Sequence, residues 1–183
     1  MMTRGIGGES IIQAKEQETS IAASSGFPPV ARADARILIL GSLPGQRSLR
    51  VGQYYAHPQN AFWKIMREIT GAAGSYEQRC DALVEYGIAL WDVLAESVRP
   101  GSMDANIAIE TAEVNDFKSF FAAHRAIQLV GFNGKKAAQI FRRSVVLDDA
   151  VAPGQFETLP STSPAYAAMA YTQKLSMWRS VIT

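Results

Sequence analysis

The sequence predicts an α/β protein with a parallel sheet and helices on both of its sides. Short apolar runs alternate with helical segments along most of the 183 residues. The first run, RILILGS at residues 36–42, is continuous rather than alternating, which is typical of a strand buried on both faces. The helical segments between the runs are about ten residues long and act as crossover connections, so the strands are expected to lie parallel.

Three further strands follow the first one along the chain. Residues 88–94 (IALWDVL) and 126–132 (AIQLVGF) repeat the pattern of a short apolar run next to polar residues. The fourth strand and its exit loop lie within QFETLPSTS, at residues 155–163. The predicted sheet therefore has four strands.

Five helical segments connect and follow these strands. The apolar residues of the first one recur at spacings of three and four, and Asn60 is a candidate cap for it. The second is bounded by Ser75 as a possible cap and by Gly87 as its stop. The predicted helices span residues 60–70, 75–87, 114–124, 134–144 and 165–182.

The chain divides into a tail and one domain. Residues 1–25 are small and polar, and we expect a loose N-terminal tail with at most a short helix near 11–18. Residues 26–183 are expected to form a single domain, which is long enough to bury a core without disulfides. The formal net charge is +1, so any contact with nucleic acid must be local rather than a result of overall charge.

Composition excludes several classes of protein. The lone Cys80 cannot form an intramolecular disulfide, and it rules out a cysteine-ligated iron–sulfur cluster or structural zinc site. It favours a reducing, cytoplasmic setting. No apolar run approaches the roughly 20 residues of a membrane span, and the N-terminus lacks the apolar core of a signal peptide. The phosphate-loop and dinucleotide-binding glycine patterns are also absent.

Polar loops follow all four predicted strands. Ligands of parallel α/β sheets bind outside the carboxyl ends of the strands, so these loops predict one shared site. In the first loop, Gly41 and Gly45 allow close backbone approach, Tyr55 offers a flat aromatic face, and Asn60 supplies an amide. This combination is similar to a nucleobase pocket. The four loops are GSLPGQRS with HPQN, DVLAESVRPGSMDANI, GFNGKK and LPSTSPAY.

Each of these residues also has an ordinary structural interpretation. The first loop can be a rigid connection whose aromatic rings plug the sheet end, and His57 can be a hydrogen-bonded structural residue. Asn133 can simply cap the following helix. Asp104 and Asn106 are common turn residues. Ser161, Thr162 and Ser163 precede Pro164, which we expect in the first turn of the last helix; such a helix start favours a DNA phosphate, but the hydroxyls can also be plain caps.

Four motifs, taken together, resemble the uracil-DNA glycosylase superfamily. They are GSLPGQRS, YYAHPQNAFWKIM, GFNGKKA and LPSTSPA, in this order, and the resemblance extends over residues 36–182. It is closest to the hypoxanthine-DNA glycosylase branch. The resemblance implies a three-layer α/β/α sandwich with a central four-stranded parallel sheet. It also implies a monofunctional DNA glycosylase that needs neither a metal nor an organic cofactor.

The resemblance assigns roles to individual residues. Asn60 is the main catalytic candidate and Asn133 the second, while Tyr55 occupies the position of the ring that stacks on the flipped base. Leu43 stands where the mismatch-specific branch has a water-positioning Asn, which favours hypoxanthine over uracil as the substrate. Tyr166 departs from the Asn expected in this branch. The base-binding set is Gly41, Ser42, Leu43, Pro44, Gly45, Tyr55 and His57, and the DNA-binding set is Ser161, Thr162, Ser163, Pro164, Ala165, Tyr166 and Lys135.

The expected partner is double-stranded DNA containing a deaminated base, with no membrane association. We expect a cytoplasmic monomer that is nucleoid-associated during repair and whose abasic product passes to downstream repair enzymes. Three alternatives stay open at this point. They are a uracil or mismatch glycosylase, a catalytically silent nucleic-acid-binding module, and an α/β protein with a small-molecule site.

Overall fold

The computed structural model describes residues 24–97, 112–147 and 152–183. The predicted helix at 11–18, Asp104 and Asn106 lie outside these residues. The strands are β1 (Ser24–Ser25), β2 (Ile37–Gly41), β3 (Ile88–Asp92), β4 (Leu94–Ser97), β5 (Glu113–Val114), β6 (Leu129–Asn133) and β7 (Gln155–Leu159). The helices are α1 (Gln46–Val51), α2 (Phe62–Thr70), α3 (Tyr76–Tyr86), α4 (Phe117–Ala123), α5 (Lys135–Ser144) and α6 (Tyr171–Ile182).

The main sheet has four parallel strands in the order β3-β2-β6-β7, which confirms the predicted sheet. Leu38, Ile39 and Leu40 of β2 are fully buried, as a central strand covered on both faces requires. Because the strands are parallel and in register, their last residues meet at one edge. Gly41 lies opposite Asp92 in the β2–β3 pair.

Two sets of helices, each joined by aromatic contacts, pack on the sheet and form the predicted α/β/α sandwich. On one side, Phe62 and Trp63 of α2 contact Trp178 of α6 and Tyr76 of α3, with ring centroids 6.0 and 5.8 Å apart respectively. On the other side, Phe117 of α4 contacts Phe141 of α5 at 5.0 Å. None of the helices in the described ranges combines the length and the apolar character needed to cross a bilayer.

The local signals around α3 are confirmed by the structure. Ser75 and Gln78 form a reciprocal capping box at its start, and Gly87 ends the helix in the left-handed conformation with φ 91°. Helix α2 starts at Phe62, two residues later than predicted. Asn60 nevertheless binds this helix start, because its Oδ1 accepts a hydrogen bond from the Phe62 backbone N–H at 3.0 Å.

The predicted start of the last helix at residue 165 is wrong, because α6 begins at Tyr171. Ser163 explains the difference. Its hydroxyl accepts a hydrogen bond from the backbone N–H of Ala165 at 3.2 Å, and its carbonyl accepts one from Tyr166. This local turn competes with helix formation. Pro164 is therefore not in a helix first turn, and the helix-start phosphate site expected there does not exist.

Two other segments also differ from the expectation. Residues 46–51 form α1, where the sequence predicted only loop, and Gly52 ends this helix with φ 66°. The strand predicted at 88–94 ends at Asp92, and the chain continues into β4, which pairs antiparallel with β1 and β5 in a small second sheet. Ser24 and Ser25 thus pair with β4, although the tail was expected to extend to residue 25.

Trp178 joins the last helix to the exit of β7. Its indole is fully buried and donates a hydrogen bond from Nε1 to the carbonyl of Pro160 at 2.9 Å. Pro160 is the residue directly after β7 and opens the segment that carries LPSTSPA. A single core side chain therefore supports both the packing of α6 and the position of this loop.

We expect Trp178→Phe to lower the free energy of unfolding by about 1–3 kcal/mol, because the Pro160 carbonyl then loses its buried donor. Urea unfolding followed by circular dichroism measures the change. Met177→Ala is the matched control, since Met177 is the preceding residue and is 45% exposed. An equal loss of stability in both variants would contradict the role assigned to the indole.

Candidate active site

A cleft of about 390 Å³ lies at the carboxyl edge of the main sheet. Gly41, Asp92 and Asn133 are the last residues of three neighbouring strands, and all three line it. The segments that follow β2 and β7 complete the wall. All four strand ends were expected to contribute loops to one site: those after β2 and β7 line the cleft, and from GFNGKK and the described part of DVLAESVRPGSMDANI only the strand-end residues Asn133 and Asp92 do.

Most of the residues predicted for the site line this cleft. They are Gly41, Ser42, Leu43, Pro44, Gly45, Tyr55, His57, Asn60, Asn133, Ser161, Ser163, Pro164, Ala165 and Tyr166. Two do not belong to the lining. Thr162 is 1% exposed and lies behind the wall, and Lys135 is an exposed residue in the first turn of α5.

The floor of the cleft is crowded around Gly41. A Cβ atom at this position would overlap Oδ1 of Asp92 and would lie 3.0 Å from Oη of Tyr55. Only glycine leaves room for both groups, which explains a glycine at the end of a strand that is otherwise aliphatic. The carboxylate and the phenol are thereby brought close together beneath the cleft.

Tyr55 adopts a left-handed backbone conformation, with φ 53°, that bulky side chains rarely take. Its ring stacks on Phe62, with the ring centroids 4.0 Å apart and the planes 25° from parallel. The next residue is held as well, because Ser48 Oγ accepts a hydrogen bond from the Ala56 N–H at 3.1 Å. Such strain costs about 1–3 kcal/mol and persists where the surroundings impose it, typically at functional sites.

Tyr54 is 3% exposed and supports the cleft from below. Its backbone N–H donates to Tyr76 Oη at 3.2 Å, and its carbonyl accepts from Trp63 Nε1 at 2.8 Å. Burial, assisted by the negative charge of Asp92, raises the pKa of Tyr54 above its ordinary value. Burial also raises the pKa of Tyr76 to about 12.

Asn60 enters the cleft with a defined amide orientation. The Phe62 N–H must be accepted by oxygen, so Oδ1 is the atom that faces the helix start. Nδ2 is then the end of the amide that can donate toward a ligand. Since Asn60 also lines the cleft, the structure provides an oriented hydrogen-bond donor there.

Asn133 forms a reciprocal pair with Thr162. Its Oδ1 accepts from the Thr162 backbone N–H, and its Nδ2 donates to Thr162 Oγ1, both at 2.8 Å. Asn133 does not cap the following helix. The N-cap of α5 is Gly134, and no side chain caps this helix. An amide nitrogen carries two hydrogens, so one of them remains for the cleft.

The loop after β7 is held at its far end as well. Lys174 of α6 is 6% exposed and donates from Nζ to the Tyr166 carbonyl at 2.6 Å. Its ammonium also lies 4.9 Å from the centre of the Tyr166 ring. Burial lowers the pKa of Lys174 below its ordinary value. A buried cation therefore lies directly behind the part of the loop that faces the cleft.

His57 is exposed at the rim of the cleft, where its Nδ1 accepts a hydrogen bond from the Gln59 N–H at 3.2 Å. In the neutral imidazole the proton therefore resides on Nε2. Leu43 is 5% exposed and contributes an apolar surface. Where the mismatch-specific branch has a water-positioning Asn, this cleft therefore has a leucine side chain, which carries no polar atom.

The lining also includes Arg47 and Tyr54, which the sequence offered as a nearby positive charge and an aromatic face of the first loop, and two residues to which it gave no role, Ser48 and Asp92. Arg47 and Ser48 belong to the unpredicted α1. Asp92 was hidden within a predicted strand that extended to residue 94. The signal that identifies it is its position opposite Gly41, because a charged residue at the end of a buried parallel strand faces the ligand edge.

The sequence of this chain is similar to those of known proteins. The model of the family described as the Uracil DNA glycosylase superfamily matches residues 28–182. A hypoxanthine DNA glycosylase of Methanosarcina barkeri is 43% identical over 117 residues, or 62% of this chain and 73% of the relative. Its counterpart from Methanosarcina acetivorans is 39% identical over the same shares.

A solved structure is also similar. It is a solution NMR structure from Methanosarcina acetivorans, described as a candidate uracil DNA glycosylase. The TM-score is 0.72 at 32% identity, and the alignment covers 88% of this chain and 97% of the other. The similarity therefore extends through the sheet and the helices that position the cleft.

We expect Thr162→Val to lower the free energy of unfolding by about 1–3 kcal/mol, because Asn133 Nδ2 loses its buried acceptor. Thr158→Val on β7 is the matched control, since the Thr158 hydroxyl accepts a long bond, 3.4 Å, from the exposed Arg142 side chain. Urea unfolding measures both. Equal stability of the Thr162 variant and the native chain would show that the pair does not hold the loop.

The raised pKa of Tyr76 predicts a loss of stability at alkaline pH. The phenol ionises near pH 10 in the unfolded chain but near 12 in the folded one, so the folded state is penalised progressively between these values. Guanidinium unfolding at a series of pH values from 9 to 12 should therefore give a shallower decline for Tyr76→Phe than for the native chain. Parallel declines would contradict the burial effect.

Proposed function

This chain belongs to the uracil DNA glycosylase superfamily, and we propose that it is a monofunctional DNA glycosylase. In this proposal it flips a deaminated base, hypoxanthine in preference to others, into the cleft and hydrolyses the N-glycosidic bond to leave an abasic site. One observation carries the proposal: the cleft combines the Tyr55 ring, presented by a strained backbone, with the oriented amide of Asn60. The names of the Methanosarcina relatives support the choice of hypoxanthine.

Base flipping requires a surface that replaces the lost stacking. One face of the Tyr55 ring packs on Phe62, and the ring also lines the cleft, so the base would stack on its other face. Stacking on an aromatic side chain is worth about 1–3 kcal/mol per base. Flipping itself costs a few kcal/mol, least at a mispaired or damaged base, so weak pairing adds selectivity.

Asn60 is proposed to stabilise the departing base. Cleavage of the N-glycosidic bond leaves negative charge on the purine, and an amide N–H directed at O6 or N7 stabilises this charge. Adenine carries an amino donor in place of O6, so the same N–H would oppose it. The fixed orientation of the amide, with Oδ1 on the Phe62 N–H, suits this role because nothing has to reorganise during the reaction.

Asn133 is proposed as the second amide of the site. Its bond to Thr162 uses one hydrogen of Nδ2 and leaves the other for the base. The pair also couples recognition of the base to the loop that carries Ser161 and Ser163. Leu43 offers no polar atom to orient an attacking water, which favours a purine substrate over uracil in this proposal.

Contacts with the DNA backbone are proposed for the loop after β7 and for α1. Ser161, Ser163 and Tyr166 line the cleft, and Arg47 is an exposed cation at its edge. Hydroxyl groups and arginine side chains are common phosphate ligands. With a formal net charge of +1, binding would depend on this local set, and on Lys135 beside it, rather than on the overall field. We further propose that the protein acts as a cytoplasmic monomer on double-stranded DNA and passes abasic sites to downstream enzymes.

A lesion panel tests the function. Duplexes containing deoxyinosine, uracil, xanthine or a thymine mismatch are incubated with the protein, and abasic sites are cleaved with alkali and counted. We expect release of hypoxanthine to be fastest. Faster release of uracil would favour the uracil or mismatch alternative. Duplex binding without any abasic product would favour the catalytically silent nucleic-acid-binding module and would contradict the proposed activity.

We expect Asn60→Ala to lower the single-turnover rate on deoxyinosine about 100-fold or more, because one preoriented donor to the leaving group is lost. Gln59→Ala is the matched control, since Gln59 is the exposed neighbour of Asn60 and lies outside the cleft lining. Full activity of the Asn60 variant would remove this residue from the proposed catalytic set, even if the activity itself is present.

A further inference from the structure

Lys174 is a buried cation that the proposed function does not use. It is the fourth residue of α6, it is 6% exposed, and it is not part of the cleft lining. Lysine is almost never this deeply buried unless its charge is paired, because removal of an ammonium from water is costly. Among the residues that the structure describes, no carboxylate forms an ion pair with Lys174. The ammonium is thus held in the protein without a counter-ion from this part of the chain.

The groups around the ammonium compensate for only part of the cost of burial. Nζ donates a hydrogen bond to the Tyr166 carbonyl at 2.6 Å and lies 4.9 Å from the centre of the Tyr166 ring. Both partners attract a cation, but neither carries a negative charge. Lys174 also lies near the N-terminus of α6, where the helix dipole favours anions over cations. Burial lowers the pKa of Lys174, as expected for an ammonium that lacks a counter-ion.

The segment in front of Lys174 carries no charge of its own. Residues 158–173 include no acidic or basic side chain. Ser161, Ser163 and Tyr166 of this segment line the cleft. Because the Tyr166 carbonyl is bonded to Nζ, the positive charge lies directly behind this wall. The wall therefore combines hydroxyl groups on its open side with a cation on its buried side, and it has no acidic side chain to balance that cation.

We propose that a phosphate of the DNA backbone is the counter-ion that Lys174 lacks. The inference rests on the contacts with DNA in the proposed function, and it adds a residue outside the cleft lining. A phosphodiester that binds the hydroxyl groups of the wall brings a negative charge toward the ammonium, and a buried charge is screened less by salt than an exposed one. Lys174 acts through the loop, as a positioning residue that holds Tyr166 and as a charge that favours the backbone.

Three substitutions separate the charge of Lys174 from its hydrogen bond. Lys174→Gln removes the charge but keeps a hydrogen-bond donor, and Lys174→Met removes both. Lys174→Arg keeps the charge and a donor. A lysine that only holds the loop predicts that the glutamine variant binds DNA like the native chain. A lysine whose charge is balanced by DNA predicts that the glutamine and methionine variants share one defect, which the arginine variant does not have.

The test measures binding of an undamaged duplex by fluorescence anisotropy, over salt concentrations from about 50 to 200 mM. An undamaged duplex is chosen because phosphate contacts carry no base identity, so the result does not depend on base excision. The logarithm of the association constant falls linearly with the logarithm of the salt concentration. We expect the magnitude of this slope to decrease by about 0.9, the value of one phosphate contact, in the glutamine and methionine variants and to stay native in the arginine variant.

Lys64→Met is the matched control for the loss of one lysine charge. Lys64 also lies beside a tyrosine ring, with Nζ 4.0 Å from the centre of the Tyr171 ring. It differs from Lys174 because it is exposed and lies outside the cleft lining. We expect the native salt slope in this variant. A decrease equal to that of Lys174→Met would show an effect of overall charge and would overturn the inference.

The remaining outcomes separate this inference from the proposed function. A native slope in the two neutral Lys174 variants, with folding checked by circular dichroism, would overturn the inference, and so would an equal decrease in the arginine variant. Failure of both neutral variants to fold would assign Lys174 to the stability of the fold and would also count against it. If the slope depends on Lys174 but no base is released from the lesion panel, the inference stands and the proposed catalytic function fails. If hypoxanthine is released and the slope does not depend on Lys174, only the inference fails.

Discussion

The reciprocal hydrogen bonds between Asn133 and Thr162 are the interaction on which the geometry of the cleft depends. Asn133 Oδ1 accepts from the Thr162 backbone N–H, and Asn133 Nδ2 donates to Thr162 Oγ1, both at 2.8 Å. Both residues are buried, so water is largely excluded from these bonds. The Thr162 carbonyl then accepts the backbone N–H of Ala61 at 2.9 Å, directly before α2. One buried threonine thus connects the end of β6, the start of α2 and the loop after β7. These are the parts that carry both proposed catalytic amides.

Around this connection the protein places polar groups at the end of an otherwise apolar sheet. The conformational cost is concentrated at Tyr55, whose strained backbone is held by the stack on Phe62 and by the Ser48 hydroxyl next to it. Asp92 adds a nearly buried carboxylate at the same edge, close to the Tyr55 phenol, and its charge raises the pKa of Tyr54. A purely structural loop would not need the strained backbone of Tyr55. A strained backbone and a buried carboxylate at one edge are features of a preorganised binding site.

The sequence was most informative where the determining forces are local. Continuous apolar runs predicted the four parallel strands, and the Ser75 and Gly87 signals predicted α3 to within one residue at each end. The sequence was least informative where contacts between residues far apart in the chain determine the structure. The register that sets Asp92 opposite Gly41 follows from the pairing of two strands about 50 residues apart. At the start of α6, a turn made by the Ser163 hydroxyl overrode the periodicity of the segment. The six-residue α1 is too short to show a clear period.

The position of the loop after β7 has a consequence for how the protein is made. The first wall of the cleft begins at Gly41, whereas the last wall is held by Trp178 and Lys174, near the end of the chain. During synthesis the early strands and the Tyr55 loop emerge long before α6 exists to hold Pro160 and Tyr166. A nascent chain therefore has no closed cleft, and it acquires one only when the last helix docks. Loss of α6 would release the same wall in the folded protein, because the carbonyls of Pro160 and Tyr166 would lose their hydrogen bonds from Trp178 and Lys174.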